Sequence, residues 1–295
     1  MENLKSGAFA PTCSRETWIK RQALMTKVRD FFVRRNALEV ETPVLSAYGG
    51  TDPQLDYFEI EDPKRFMMTS PEFHMKRLLA ANFGDIFQIT KSFRKDEFGG
   101  HHNNEFSMVE WYRVGMPQEK LMDEVEDLVS EIIGTKLNAR RTREIPVPEK
   151  SEALTREEWW DYMMVFLVEP ALASNGPEFI LDYPPSQAAL AQTYTDADGR
   201  VWARRFELFV NQVELCNGYT ELTDAVEQRR RFNADLDIRR AMNKPLPPLD
   251  ERFLAALESG MPACSGVALG LDRLFMLALG KEEIADVILF PSPIA

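Results

Sequence analysis

Cysteine is scarce: three in 295 residues, Cys13, Cys216 and Cys264, each alone. Single cysteines give no disulfide framework and no paired metal-ligand spacing, which suits a reducing compartment. Histidine is equally scarce. His101 and His102 are adjacent, but with no third ligand apparent a phosphate contact or an exposed loop pair outweighs a transition-metal site. No apolar run approaches the roughly 20 residues a membrane span needs. Met1 to Pro11 lacks the apolar core of a secretory signal. These absences predict a cytoplasmic protein without a membrane partner. Basic residues are also in deficit, 35 against 47 acidic, for a formal charge of -12 and a pI near 4.9. Proteins that grip long nucleic acids carry a basic surface that displaces counterions, so extensive tRNA binding is disfavoured.

What is present is ordinary globular material: 44% hydrophobic and 28% charged residues, enough for a large core. Apolar positions Trp18, Ile19, Ala23, Leu24, Val28, Phe31 and Phe32 have helical spacing over 16–35. The helix should fail near Asn36, and 38–42 alternates like a strand leading into Pro43. A short strand is expected at 66–69, then a helix over 71–81 with Ser70 as N-cap and Pro71 in its first turn. Strands are expected at 85–93 and 106–113 around the loop 94–105. An amphipathic helix follows at 118–133. Residues 134–150 read as a connector and 154–168 as a helix. Later expectations are strands at 178–183, 201–209 and 211–216, a long helix over 221–242, a Pro-rich turn at 243–250, a helix over 251–259, and a strand at 266–270 running into helix 271–279. The pattern predicts one α+β domain spanning 1–295, an antiparallel sheet flanked by helices, with 134–175 a variable connector.

Three blocks carry chemistry. The first, Phe32–Leu45, is a helix–strand element ending Glu-Val-Glu-Thr-Pro-Val-Leu. The second delivers Arg94 from one strand to a loop and returns on a strand where 106, 108, 110 and 112 share a face. Phe106, Glu110 and Tyr112 on that face suit a stacked base and a cationic ligand, and the planar fork of Arg94 suits both phosphate and carboxylate. A surface arginine above a core of Phe106 and Tyr112 fits this block equally well. In the third block, Gly266 and Gly270 let backbone approach a ligand. Arg273 then falls in the first turn of a helix, against the macrodipole, where a polyanionic partner would explain it. A salt bridge to Asp272 is the competing account. Glu207 and Glu214, seven residues apart on adjoining strands, could hold magnesium with ATP phosphates completing its shell.

In this order and separation the blocks resemble motifs 1, 2 and 3 of class II aminoacyl-tRNA synthetases. The stretches Thr69-Ser-Pro-Glu-Phe-His-Met-Lys-Arg-Leu, Glu110-Trp-Tyr and Glu214-Leu-Cys-Asn-Gly-Tyr-Thr-Glu-Leu narrow the resemblance to the lysyl branch. They are closest to its small paralogues that activate (R)-β-lysine and attach it to a lysine of elongation factor P. The resemblance implies the class II catalytic fold and an ATP-dependent ligase. Arg94 and Arg273 would be catalytic. Arg94, Lys95, Asp96, His102, Asn103, Phe106, Glu214, Leu215, Gly270 and Arg273 would bind ATP, with Mg2+ on Glu207 and Glu214. Ser70, Pro71, Glu72, Glu110, Tyr112, Asn217, Glu221 and Ala268 would line the site for (R)-β-lysine or lysine. Motif 1, including Pro43, would form a homodimer.

Departures are specific. Asp96 stands where motif 2 usually has glutamate, Asn104 where its loop has proline, and 134–175 looks compressed. Ala268 replaces a glycine of the lysyl synthetases; its methyl would narrow the pocket beside the α-carbon and favour a β-amino acid. The chain starts almost at motif 1, leaving no sequence for an anticodon-binding barrel. A paralogue acylating tRNA or a small molecule with α-lysine is the second enzymatic reading, and an inactive lysine- or ATP-binding module is the third.

Overall fold

The computed structural model describes residues 9–143, 162, 164, 172 and 176–295. The helix expected over 154–168 therefore lies, but for Tyr162 and Met164, outside the described residues, as does most of the connector's second half. No described helix is long and apolar enough to cross a membrane.

Helix α1, Arg15–Val33, starts where the Ser14 hydroxyl accepts the Thr17 N–H, satisfying a donor the first turn would leave unpaired. It ends just before Asn36, whose φ of 56° is left-handed. The strand expected at 38–42 is only β1, Leu38–Glu39, paired parallel with Ile86–Phe87. Pro43 has no N–H to continue a ladder, so the segment leaves the sheet. It then builds a small antiparallel sheet from β2 (Leu45–Ser46), β3 (Glu59–Ile60) and β4 (Arg65–Met67), of which only β4 was expected. Helix α2, Glu72–Ala80, starts one residue late, with Pro71 rather than Ser70 at the N-cap position. Ser70 still accepts the Glu72 N–H at 3.1 Å.

Strands β5 (Ile86–Phe93) and β6 (Glu105–Val114) form the expected hairpin, and α3 occupies Gln118–Ile133. The expected connector contains β7, Arg140–Thr142, parallel to β8, Glu178–Tyr183. Three polar residues have no pattern to announce a strand; Arg140 and Thr142 are held there by the Glu178 carboxylate. A short β9, Thr193–Thr195, pairs with β10, Val201–Val210. The turn into β11, Val213–Thr220, uses Asn211 and Gln212 with φ of 51° and 65°. Two positive-φ residues match a tight hairpin's twist, which moves the strand start from 211 to 213. Helix α4, Ala225–Ala241, begins four residues later than expected because the Asp224 carboxylate caps Val226 and Glu227. Helix α5 is Glu251–Glu258, β12 is Cys264–Gly270 and α6 is Leu271–Ala278.

The large sheet runs β1-β5-β6-β12-β11-β10-β8-β7, with β9 beside β10. It is antiparallel except for its two parallel edge pairs. This is the class II catalytic architecture the motifs predict. Alternation along β6 divides its faces. Val109 and Trp111 enter a core with Val28, Phe32, Leu121, Val125 and Phe275 from α1, α3 and α6. Each such side chain contributes about 1.5–3 kcal/mol of burial. Residues 106, 108, 110 and 112 point to the other face. There α2, α4 and α5 close one end through Met75, Phe232 and Phe253, and the rest is open.

Candidate active site

That open face is a cavity of about 1390 Å³ between β6, β11 and β12, the loop after β5 and helices α2 and α4. The structure brings Ser70, Glu72, Arg94, His102, Asn103, Phe106, Glu110, Tyr112, Glu207, Glu214, Leu215, Asn217, Glu221, Ala268, Gly270 and Arg273 to its wall. Three residues expected at the site are absent from that wall: Pro71, Lys95 and Asp96. Lys95 turns outward as its backbone N–H bonds the Asp56 carbonyl at 2.8 Å. Asp96 adopts φ 65° in the turn. Glu97 lines the wall instead, 3.4 Å from Arg94 Nη1.

At one end three carboxylates converge. Glu110 from β6 accepts the Ser70 hydroxyl and the Tyr112 phenol, both at 2.7 Å. Glu72 opens α2, and Glu221 follows β11. Between these two sits Lys76, wholly buried, its Nζ 2.7 Å from Glu72 and 2.5 Å from Glu221. Burial pushes the Glu110 carboxyl up to about 7, with the nearby Glu72 charge adding to it. Burial likewise pushes Glu221 up to about 8, opposed by the Lys76 ammonium. Burial alone would lower Lys76, but Glu221 and Glu72 outweigh it and hold the ammonium above its ordinary value. The Tyr112 phenol is raised by burial and by Glu110. Asn217 Oδ1, buried at this wall, has no hydrogen-bond partner. A buried acceptor left unpaired costs about 1–3 kcal/mol unless a ligand satisfies it.

Strand β12 forms the floor. Ala268 is cross-strand neighbour to Glu110 on one side and Asn217 on the other, placing its methyl among the carboxylates. Gly266 is dictated by packing: a Cβ there would run into the Tyr112 ring and the Glu221 carboxylate. At Gly270 a Cβ would meet nothing nearer than 3.7 Å, so no protein neighbour demands a glycine.

The other end is cationic. The Arg94 guanidinium lies 5.1 Å from the Phe106 ring centroid, and its Nε is buried without a partner. Asn104 bonds the Arg94 carbonyl through Nδ2 at 3.0 Å and accepts the Arg94 N–H on its own carbonyl. The asparagine that replaces the usual proline thus closes the motif 2 loop. Arg273 donates to the Glu214 carbonyl at 2.8 Å and the His101 carbonyl at 3.2 Å, and lies 2.6 Å from His102 Nε2. Burial and Arg273 both lower His102, favouring the neutral ring that accepts. The competing salt bridge to Asp272 does not form. Asp272 instead pairs with Arg21 at 2.6 Å and accepts the Ser107 N–H. The nearest carboxylate oxygen to Arg273 is Glu214 Oε2 at 3.7 Å, so its charge is held by dipoles and stays available. Asn103 is committed elsewhere, bonding the Ser292 N–H and the Glu105 carbonyl.

Glu207 is also engaged: Arg205 and the Tyr183 phenol, each at 2.5 Å, take its two oxygens. Burial raises its carboxyl, opposed by Arg205 and reinforced by Glu214. Among the described residues no group of three or more acidic, His or Cys side chains forms a metal cluster. Glu214 is partly exposed with both carboxylate oxygens outside hydrogen-bond range of Arg273. Magnesium is commonly held by one or two carboxylates plus substrate phosphates, and Glu214 fits that role, with Glu207 engaged behind it.

Reading the sequence missed Lys76, Glu97 and the Arg205–Tyr183 pair. The signal for Lys76 was available: it stands four residues after Glu72, the favourable Glu-to-Lys helical spacing. Its burial was not, because a lysine is almost never fully buried unless paired.

Comparison with known proteins gives the chain a family. The family described as tRNA synthetases class II (D, K and N) matches residues 11–293. Elongation factor P–(R)-β-lysine ligase of Proteus mirabilis is 44% identical, covering 96% of this chain and 97% of that protein. Proteins of the same name from Salmonella paratyphi A and Salmonella arizonae are 42% identical over 97% of the chain and 98% of their own lengths. The chain belongs to the class II tRNA synthetase family of the D, K and N type.

Proposed function

We propose that the protein activates (R)-β-lysine, or lysine, as an acyl-adenylate and transfers the acyl group to a lysine side chain of elongation factor P. One observation carries the reading: a single cavity joins a buried cluster of three carboxylates to two arginines whose nearest carboxylates stand off at 3.4 and 3.7 Å. A substrate with two ammonium groups needs such compensation, because an unpaired buried cation is costly. The near full-length similarity to proteins named for that reaction supports the same substrates.

In this reading Glu72, Glu110, Glu221 and the unpaired Asn217 oxygen hold the ammonium groups. Arg94 bridges the substrate carboxylate and the α-phosphate of ATP, and the adenine stacks on Phe106. A carboxylate oxygen attacks the α-phosphorus, the bond to the bridging oxygen breaks, and pyrophosphate leaves against Arg273. Magnesium bound at Glu214 would supply further neutralisation of phosphate charge. The acceptor amine, after losing its proton, attacks the carbonyl carbon and AMP departs with the bonding pair. No covalent enzyme intermediate is needed; catalysis is positioning and electrostatics. A single domain acting as a homodimer through motif 1 is part of the proposal, supported by exposed Leu38, Val44 and Leu45 in that segment.

ATP–pyrophosphate exchange with α-lysine and both β-lysine enantiomers tests it. Exchange with (R)-β-lysine ahead of the others is expected; no exchange with any of them overturns the reading.

A further inference from the structure

Lys76 is the one wholly buried cation at the carboxylate end among the described residues, and the proposed reaction does not use it. Its neighbours come from every packed element. Glu72 lies on its own helix, Glu221 just after β11, Glu110 on β6 with Tyr112 bonded to it, and Cys264 on β12. The Phe253 ring of α5 covers the ammonium at 5.9 Å. Both carboxylates hold it at charge-assisted distances.

We propose that Lys76 is a positioning residue that acts as the built-in counter-cation of the ammonium-binding cluster. Once Glu110 and Glu221 have lost their protons, three carboxylates and one fixed ammonium leave two carboxylate charges, the number that a substrate with two ammonium groups neutralises. The proposal rests on the substrate reading above. Without Lys76 three carboxylates would face one another in a buried pocket. Like charges so placed resist joint ionisation, and the cluster would keep its protons to higher pH than it does beside Lys76. An incoming dication must then expel them, so binding becomes weaker toward acid. Lys76 also fixes the separation of Glu72 from Glu221, because one Nζ reaches both.

The test is the pH profile of exchange kcat/KM for (R)-β-lysine in wild type, Lys76→Met and Lys76→Arg. Lys76→Met is expected to move the acid limb up by about one unit or more, leaving the KM for ATP within about twofold. Lys76→Arg keeps the charge and should return the limb toward wild type. An unmoved limb in Lys76→Met overturns the proposal. So does an equal loss in both variants with a raised KM for ATP, which marks a merely structural role. If Lys76→Met does not fold, calorimetry of lysine and (R)-β-lysine binding to wild type in two buffers decides. At about pH 8.5 the matched cluster should release well under one proton; release of about one or more overturns the inference. This binding measurement needs no adenylation. An enzyme inactive in exchange thus removes the proposed function, while the proton count still decides the role of Lys76.

Discussion

The two ends of the cavity are built on opposite principles. At the carboxylate end every charged group is paired before a ligand arrives: Lys76 with Glu72 and Glu221, Glu110 with Ser70 and Tyr112. At the arginine end Arg273 is held by two carbonyls and a neutral imidazole, and Arg94 by a ring face and a glutamate 3.4 Å away. The first end is largely buried and preassembled, so it recognises by shape and charge count. The second keeps its positive charge available, so it can respond to charge that moves during reaction. A group that stabilises only the transition state must not be neutralised beforehand.

That contrast can be broken most severely at the arginine end. Arg273→Ala should lower exchange kcat/KM by ~10²–10³-fold, the usual cost of one preorganised donor to developing charge. The loss should fall on every amino-acid substrate alike. At the carboxylate end Glu110→Gln removes a charge but keeps the shape that Ser70 and Tyr112 recognise. It should raise the KM for the amino acid by ~10–100-fold, from about 1.5–3 kcal/mol per charged hydrogen bond, with the KM for ATP little changed. A variant that raised both equally would erase the distinction between the ends.

A smaller effect concerns protons. Ammonium binding needs ionised carboxylates, and Glu110 and Glu221 are pushed up to about 7 and about 8. Affinity for the amino acid should therefore rise with pH through that window and fall below it, read as KM from about pH 6.5 to 8.5. For folding the sign is opposite. Both carboxyls hold their protons more tightly in the native state than unfolded, so their contribution to stability declines as pH rises from the ordinary carboxylate range and is gone above about 7 and about 8. The smallest effect is at Ala268, whose methyl sits between Glu110 and Asn217. Ala268→Gly should shift the preference for (R)-β-lysine over α-lysine by up to ~10-fold. An unchanged ratio would remove the methyl from the account of selectivity.

The shared face of β6 was legible in the sequence because strands announce themselves by alternation: Phe106 at the arginine end and Glu110 and Tyr112 at the carboxylate end do line the cavity. The hairpin, α3 and β8 were placed within a residue of their observed bounds for the same reason. What escaped reading depends on distant contacts. Strand β7 exists because Glu178 and a parallel partner hold it, and β2 and β3 exist because Pro43 diverts the chain. Lys95 and Asp96 occupy motif 2 positions, yet the bond to Asp56 and the turn at φ 65° carry them off the wall. Nothing local to the sequence marks Lys76 as buried. Only the folded arrangement, bringing Glu221 from 145 positions away onto the same ammonium, makes its burial affordable.

The most direct test of the account is intact-mass analysis of elongation factor P after incubation with the protein, ATP, magnesium and (R)-β-lysine. The account predicts that the factor gains the mass of one lysyl group on a single lysine, and that Arg273→Ala slows the gain by ~10²–10³-fold. An unmodified factor, under conditions where the same protein supports rapid pyrophosphate exchange, would contradict the proposed acceptor.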